Sequence, residues 1–238
     1  MNDRMENIKR MVEQNCLGPD DTFEFGCDRC GKCCRNRNDI LLNPIDVYRM
    51  AKYLKITPKE LVGTYCERYQ GETSRIVVVH LLPKEYRKTC PFLGKDGCSI
   101  HEAKPTVCAI YPLGRAVNPK IGSFMYFDQK VPCGRKGEFH KVSDWLSDFH
   151  LVEEEQDALK WMNTAAKYTM AMQRVEKELH PQQLNYLLAL MCFLFYLNYD
   201  VDKPFSPQFE TNLAVMKDAF KDFTGKELEE ECPSAMSQ

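Results

Sequence analysis

The sequence lacks any long apolar run. Its most hydrophobic stretch, Tyr186–Leu197, is 12 residues, against roughly 20 for a membrane-spanning helix. A buried core helix is expected there, and no transmembrane segment. The opening residues, Met1–Glu13, follow a polar helical pattern without a signal peptide's apolar core. A cytoplasmic location with reduced thiols is therefore the expectation. A strong basic excess is also missing, since the net charge is −2, and nucleic acid is not an expected partner. No internal repeat and no low-complexity tract stands out. Nucleotide-binding signatures, G-x-G-x-x-G and the P-loop, are absent, as is H-E-x-x-H. His101-Glu102 does not form the H-x-E of zinc deaminases. Cys30 and Cys34 have C-x3-C spacing, but position 37 is Arg, so the radical S-adenosylmethionine motif is not completed. Glu153-Glu154-Glu155 reads as a solvated face near a helix N-terminus.

What the chain has in excess is cysteine, 12 in 238 residues. With 44% hydrophobic residues, a chain of this length builds a core without disulfides. Clustered thiols in a reducing compartment point to metal or catalysis rather than to cross-links. The densest stretch is Cys27-Asp28-Arg29-Cys30-Gly31-Lys32-Cys33-Cys34, and Cys90, Cys98, Cys108 and Cys133 follow. Thiolates are soft ligands suited to zinc, iron and iron–sulfur clusters, and both zinc and a cubane cluster take four. Cys27-x2-Cys30-x2-Cys33 matches the first three ligands of the bacterial ferredoxin run, and Cys90-Pro91 supplies the closing Cys-Pro at a distance. No second C-x2-C exists to make a paired zinc site. These eight cysteines are the candidate cofactor and metal ligands, enough for one or two 4Fe-4S clusters, with zinc or mononuclear iron as the alternative. Adjacent Cys33 and Cys34 are expected to point apart and so to serve different metals or leave one thiol spare. His101 can ligate or hydrogen-bond from behind. Cys16 and Cys66 fall in predicted helices, Cys192 in the apolar helix and Cys232 in the tail. Among the tyrosines of this half (65, 69, 86, 111 and 126), one can hydrogen-bond a cluster sulfur.

Periodicity and punctuation place these residues in a helix-rich α+β fold. Residues 3–16 read as an amphipathic helix. Phe23-Glu24-Phe25 and Asp39–Leu42 read as short strands. Asn43-Pro44 and Thr57-Pro58 open helices running to about Lys55 and Tyr69. Arg75–Leu82 is a buried strand. Residues 86–112 are irregular, with one short helix near 102–110. Leu113–Val117 and Gly122–Phe127 form a hairpin, and Val131–Gly134 a turn. Helices are expected at 143–150, 152–179, 181–198 and 206–223. The division expected is an N-terminal helix and lead-in at 1–24, a cysteine-cluster metal-binding part at 25–140, a helical part at 141–226 and a flexible tail at 227–238. The helices are expected to pack on the cysteine part and shield it from solvent. Charge divides along the same line: residues 151–238 carry a net −7 and residues 1–150 a net +5.

Cys27–Cys34 resembles the signature of the YkgJ-like cysteine-cluster proteins, whose CxxCxxCC domain is described as chelating zinc or iron. Cys90-Pro91-Phe92-Leu93, Gly97-Cys98-Ser99-Ile100-His101-Glu102, Lys104-Pro105-Thr106-Val107-Cys108 and Tyr111-Pro112 follow the family's order and spacing. Lys104, Ala109 and Tyr111 depart from the family's usual Arg, Arg and Phe. The resemblance covers roughly residues 25–135. It implies an iron–sulfur or zinc protein with a redox or protein-modifying role, and a protein substrate or redox partner. A related branch, the flagellin lysine N-methylases, is similar through the same cysteines, which implies S-adenosylmethionine-dependent methyl transfer to protein lysine as an alternative. A structural zinc module for interaction is the other alternative.

Overall fold

The computed structural model describes residues 16–228, apart from 38, 85–87, 119–121, 130 and 132. The helix expected over 3–16 lies outside these residues except for Cys16, which is in a strand. The expected tail lies outside them from residue 229 onward.

The chain enters through β1 (Cys16–Leu17) and β2 (Thr22–Gly26), passes the cysteine octet and forms β3 (Leu41–Leu42). Helix α1 (Pro44–Leu54) starts on a capping box: Asn43 Oδ1 accepts from the Asp46 amide at 2.7 Å, and Asp46 accepts from the Asn43 amide at 3.2 Å. Helix α2 (Pro58–Tyr65) repeats the device with Thr57 and Glu60. It stops four residues short of the expected end. Cys66–Gln70 instead forms β4, which pairs antiparallel with β5 (Val77–Leu81), while β3 pairs with the other side of β5. The buried, β-branched β5 needs a hydrogen-bonding partner on both edges, and this demand overrides the helical propensity of Cys66–Gln70.

Beyond β5 come the two-residue strands β6 (Leu93–Gly94) and β7 (Gly97–Cys98), then the one-turn helix α3 (Thr106–Ala109). The expected hairpin forms as β8 (Leu113–Asn118) and β9 (Ser123–Asp128), with β1 added at its edge. Strand β10 (Arg135–Lys141) pairs antiparallel with β2. Helices α4 (Val142–Ser147), α5 (Glu155–Val175), α6 (Pro181–Cys192) and α7 (Phe205–Thr224) complete the chain, and α6 continues as a π turn over Phe193–Leu197. No helix among the described residues is long and apolar enough to cross a membrane.

Buried side chains fall into two clusters. The larger one joins α1, α2 and β5 to α5, α6 and α7, through Val47, Met50, Leu61, Val79, Met172, Leu187, Phe195, Phe209 and Phe220 among others. The smaller one gathers Phe23 and Phe25 of β2, Ala109 and Ile110 at the end of α3, Leu113 of β8, Tyr126 of β9 and Val142, Trp145 and Leu146 of α4. Phe23 and Phe25 both meet the Trp145 ring edge-on, at 5.5 and 6.0 Å between centroids. Thus α4 packs with the cysteine-side strands, and the other three helices cover the α1–α2 and β5 side. The apolar faces of α5, α6 and α7 lie in the larger cluster, and that of α4 in the smaller one.

Candidate metal centre

Between the two clusters runs a seam, and the cysteines line it. Cys90, Cys98 and Cys108 pack against the larger cluster, while Cys133 and Tyr111 pack against the smaller. Cys108 and Ala109 are neighbours on α3 yet belong to opposite sides, so this single helical turn marks the seam.

Local geometry shapes the first cysteine block. Gly31 has φ +70°, and a Cβ there would lie 2.7 Å from Leu93 Cδ1. Only glycine takes this backbone at this proximity without strain. Lys32–Cys34 then turns as a 3-10 helix. This turn leaves the Cys33 and Cys34 sulfurs 3.9 Å apart. The two side chains therefore face one space, contrary to the expectation that they diverge. The second block is laid directly on the first: the Cys90 amide donates to the Cys34 carbonyl at 2.8 Å, and the Asn36 amide to the Lys88 carbonyl at 2.8 Å. Gly97, at φ +104°, lets β7 approach Arg29, whose Cβ would stand 3.0 Å from an added methyl.

Two adjoining cavities open along the seam. One, of about 70 Å³, is lined by Cys27, Cys33, Cys34, Cys90, Cys98 and Cys108. The other, of about 290 Å³, is lined by Cys27, Cys30, Cys33, Cys108 and Cys133, with Trp145 and Phe149. Arg29, His101, Lys104 and Tyr111 line both. All eight sequence-predicted cysteines thus border one or both cavities. Cys66 and Cys192 do not: they pack into the larger cluster. Cys16 lies on a separate groove beside β2, which also reaches Cys133. All eleven described cysteines are free thiols. Among the described residues, no three Cys, His, Asp or Glu side chains are already drawn together tightly enough to hold one ion.

Electrostatics show what the thiols are suited to. The hydrogen bond to Cys34 and burial raise the Cys33 thiol far above its ordinary value. Cys34 is favoured as thiolate by Cys33, but its bond to Cys90 and its burial outweigh this and push it up to about 11. Burial raises Cys98 and Cys108, with neighbouring thiols adding to the effect. Cys90 moves the other way, because Cys34 donates to it. Crowded thiolates repel one another, and a cation among them would reverse that balance and release protons. Soft sulfur donors in this number fit zinc or an iron–sulfur centre.

The surroundings are basic. Burial lowers Lys104 while nearby thiols oppose the shift, and its Nζ lies 3.9 Å from the Phe149 ring centroid. Burial, Lys104 and Arg29 hold His101 below its ordinary value. Arg37 is tied to Asp39 at 2.5 and 3.2 Å. Tyr111 Oη lies 2.9 Å from Cys133 Sγ, so Tyr111 is the expected tyrosine that reaches a sulfur.

Sequence reasoning missed the side chain that anchors Thr106, two residues before Cys108. Asp46, 1% exposed on α1, accepts from the Thr106 amide at 2.8 Å and the Thr106 hydroxyl at 2.6 Å. The available signal was a carboxylate three residues after Asn43, which marks a capping box but does not reveal a second, tertiary partner.

Residues 26–134, just under half of the chain, match the model of the CxxCxxCC family, described as "Putative zinc- or iron-chelating domain". No curated protein and no solved structure matches the chain. The likeness to this zinc- or iron-chelating family is carried by the cysteine-bearing residues 26–134 and supports metal binding there.

Proposed function

We propose that the protein carries a thiolate-bound iron–sulfur centre along the seam, with a redox or protein-modifying role of the YkgJ-like kind. One observation supports it most: eight thiols, drawn from segments up to about a hundred residues apart, border two adjoining cavities. Cys27, Cys30 and Cys33, the ferredoxin-like run, all line the larger cavity with Cys108 and Cys133, while Cys34, Cys90 and Cys98 line the smaller. These residues would hold the centre, which supplies one-electron chemistry or a Lewis-acidic site when bound. The chain's own contribution is to place the sulfurs, to offset their negative charge with Lys104 and Arg29, and to hydrogen-bond Cys133 through Tyr111. A cytoplasmic setting and a protein substrate or redox partner belong to this reading.

A second reading is favoured by the size of the smaller cavity. About 70 Å³ is the room of roughly two waters at about 30 Å³ each, which suits a single ion such as zinc in a structural module. Anaerobic purification separates the two. A brown protein with broad absorbance near about 400 nm and roughly four irons per site supports the cluster; a colourless protein with stoichiometric zinc overturns it. Methyl transfer to protein lysine is tested by calorimetry with S-adenosylmethionine, and absence of binding removes it.

A further inference from the structure

We infer that the buried Asp46–Arg49 pair on α1 is the positioning device for the Cys108 thiol and couples the thiol centre to the helical bundle. This rests on the reading that the seam thiols bind metal.

Helix α3 has four residues, too few to hold its own shape in isolation. The turn leading into it is instead gripped from outside. Asp46 Oδ1 accepts from both the amide and the hydroxyl of Thr106, at 2.8 and 2.6 Å. Arg49 Nη2 donates to the Lys104 carbonyl at 3.0 Å and to Asp46 at 2.6 Å. Three groups of the Lys104–Thr106 turn are therefore bound by two side chains of α1. Cys108 stands two residues beyond Thr106, so its sulfur inherits this placement. The other fork of Arg49 pairs with Glu154, at the entrance to α5. Asp46, Arg49 and Glu154 are largely withdrawn from solvent, with side chains 2%, 12% and 18% exposed.

Such a buried triad is stable only when every member keeps its partners. Displacing Glu154 would leave Arg49 short of a counter-charge, and Arg49 also holds the Cys108 turn. A ligand that fixes Cys108 therefore favours the conformation in which Glu154 is docked. By reciprocity, a docked bundle strengthens binding at Cys108. Asp46 and Arg49 touch no proposed metal, so they are positioning residues.

The test uses full-length protein stripped of metal and titrated with cobalt(II), whose thiolate charge-transfer absorbance reports bound sulfurs. Asp46→Asn keeps the shape and an acceptor for Thr106 but loses the charge on Arg49 and the acceptor for the Asn43 amide, a cap contact of the kind that Thr57→Ala controls for. It is expected to weaken cobalt affinity tenfold or more and to lower the absorbance by about one thiolate's share. Thr57→Ala, which removes a cap on α2 and lines neither cavity, is expected to leave both readings unchanged. If Asp46→Asn fails to fold by circular dichroism, Arg49→Lys carries the same expectation through loss of the fork. Hydrogen exchange gives the second arm: cobalt should slow exchange at residues 155–158 as well as at 106–109. Wild-type affinity and absorbance in the folded Asp46 or Arg49 variant, or an equal loss in Thr57→Ala, overturns the positioning role. Unchanged exchange at 155–158 overturns the coupling. Absence of thiolate absorbance in the wild type sinks the metal reading itself and the inference with it.

Discussion

Around Phe195 and Phe209 the chain is held by apolar area; around Cys33 and Cys108 single directional contacts join a smaller apolar share. The larger cluster contains side chains with no measurable exposure on α1, α2, β5 and the bundle helices. Each such side chain contributes about 1.5–3 kcal/mol by leaving water, and losing one leaves many neighbours in place. The seam segments contribute fewer such side chains, Phe92, Ile100, Ala109 and Ile110 among them. Their loops rest on two positive-φ glycines, the Cys34–Cys90 backbone bond and the Asp46 clamp. On the proposed reading, a thiolate-bound metal would add stabilisation to this region. The difference teaches that fold stability and metal stability should be separable by mutation away from the Asp46–Arg49–Glu154 link.

The largest expected effect breaks the apolar side alone. Phe195→Ala empties a site with 0% exposure and should cost about 3–5 kcal/mol in denaturant unfolding. Metal per folded chain should stay at the wild-type value, because Phe195 packs on Trp161 and Tyr168 and not on the Arg49–Glu154 pair. A parallel loss of metal would show that coupling between the regions is not confined to that pair. Next, Cys33→Ser should abolish or sharply reduce bound metal and lower the melting temperature of the loaded protein, while leaving the stripped protein's melting almost unchanged. Cys192→Ser should keep full metal content, since Cys192 is 6% exposed within the larger cluster. Equal metal loss at Cys192 would refute the ligand assignment. Gly31→Ala is smaller: the left-handed backbone costs about 1–2 kcal/mol, to which the approach to Leu93 adds. Its effect should appear as weakened metal affinity more than as lowered unfolding temperature of the stripped chain.

The smallest effects lie at the caps. Thr57→Ala should cost about 1 kcal/mol with no change in metal. The Thr57 amide and hydroxyl hold the Glu60 carboxyl below its usual range. Its contribution is therefore fully present above the unfolded-state value of about 4.3 and fades as the pH falls through the lower folded value. Glu60→Gln should flatten that part of the acid-stability curve, and an unchanged curve would discount the cap's charge.

Legibility followed the same division. Helices α1 and α2 announced themselves through Asn43-Pro44 and Thr57-Pro58, because a capping box is built from residues adjacent in sequence. Strand β5 was legible from Val77-Val78-Val79, a β-branched run. Strand β10 was not, since Arg135–Lys141 is polar and largely exposed. It is a strand because β2 lies beside it, and strand propensity depends strongly on such context. The eight candidate thiols could be named from spacing. Their facing directions, the neighbouring Lys104 and Tyr111 contacts, and the Asp46 clamp could not.

The sequence by itself determined the inventory: the family resemblance, the soft donor set, the capped helices and the absence of a long apolar run. Those are local or compositional properties, carried by residues within a few positions of one another. Only the tertiary structure decided that Cys33 and Cys34 face one space, that α3 lies on a seam between two apolar clusters, and that Asp46 reaches across 60 positions to Thr106. Each depends on how separate segments bury their apolar faces. That arrangement is set by the global balance of area and chain entropy, which no short stretch of sequence encodes.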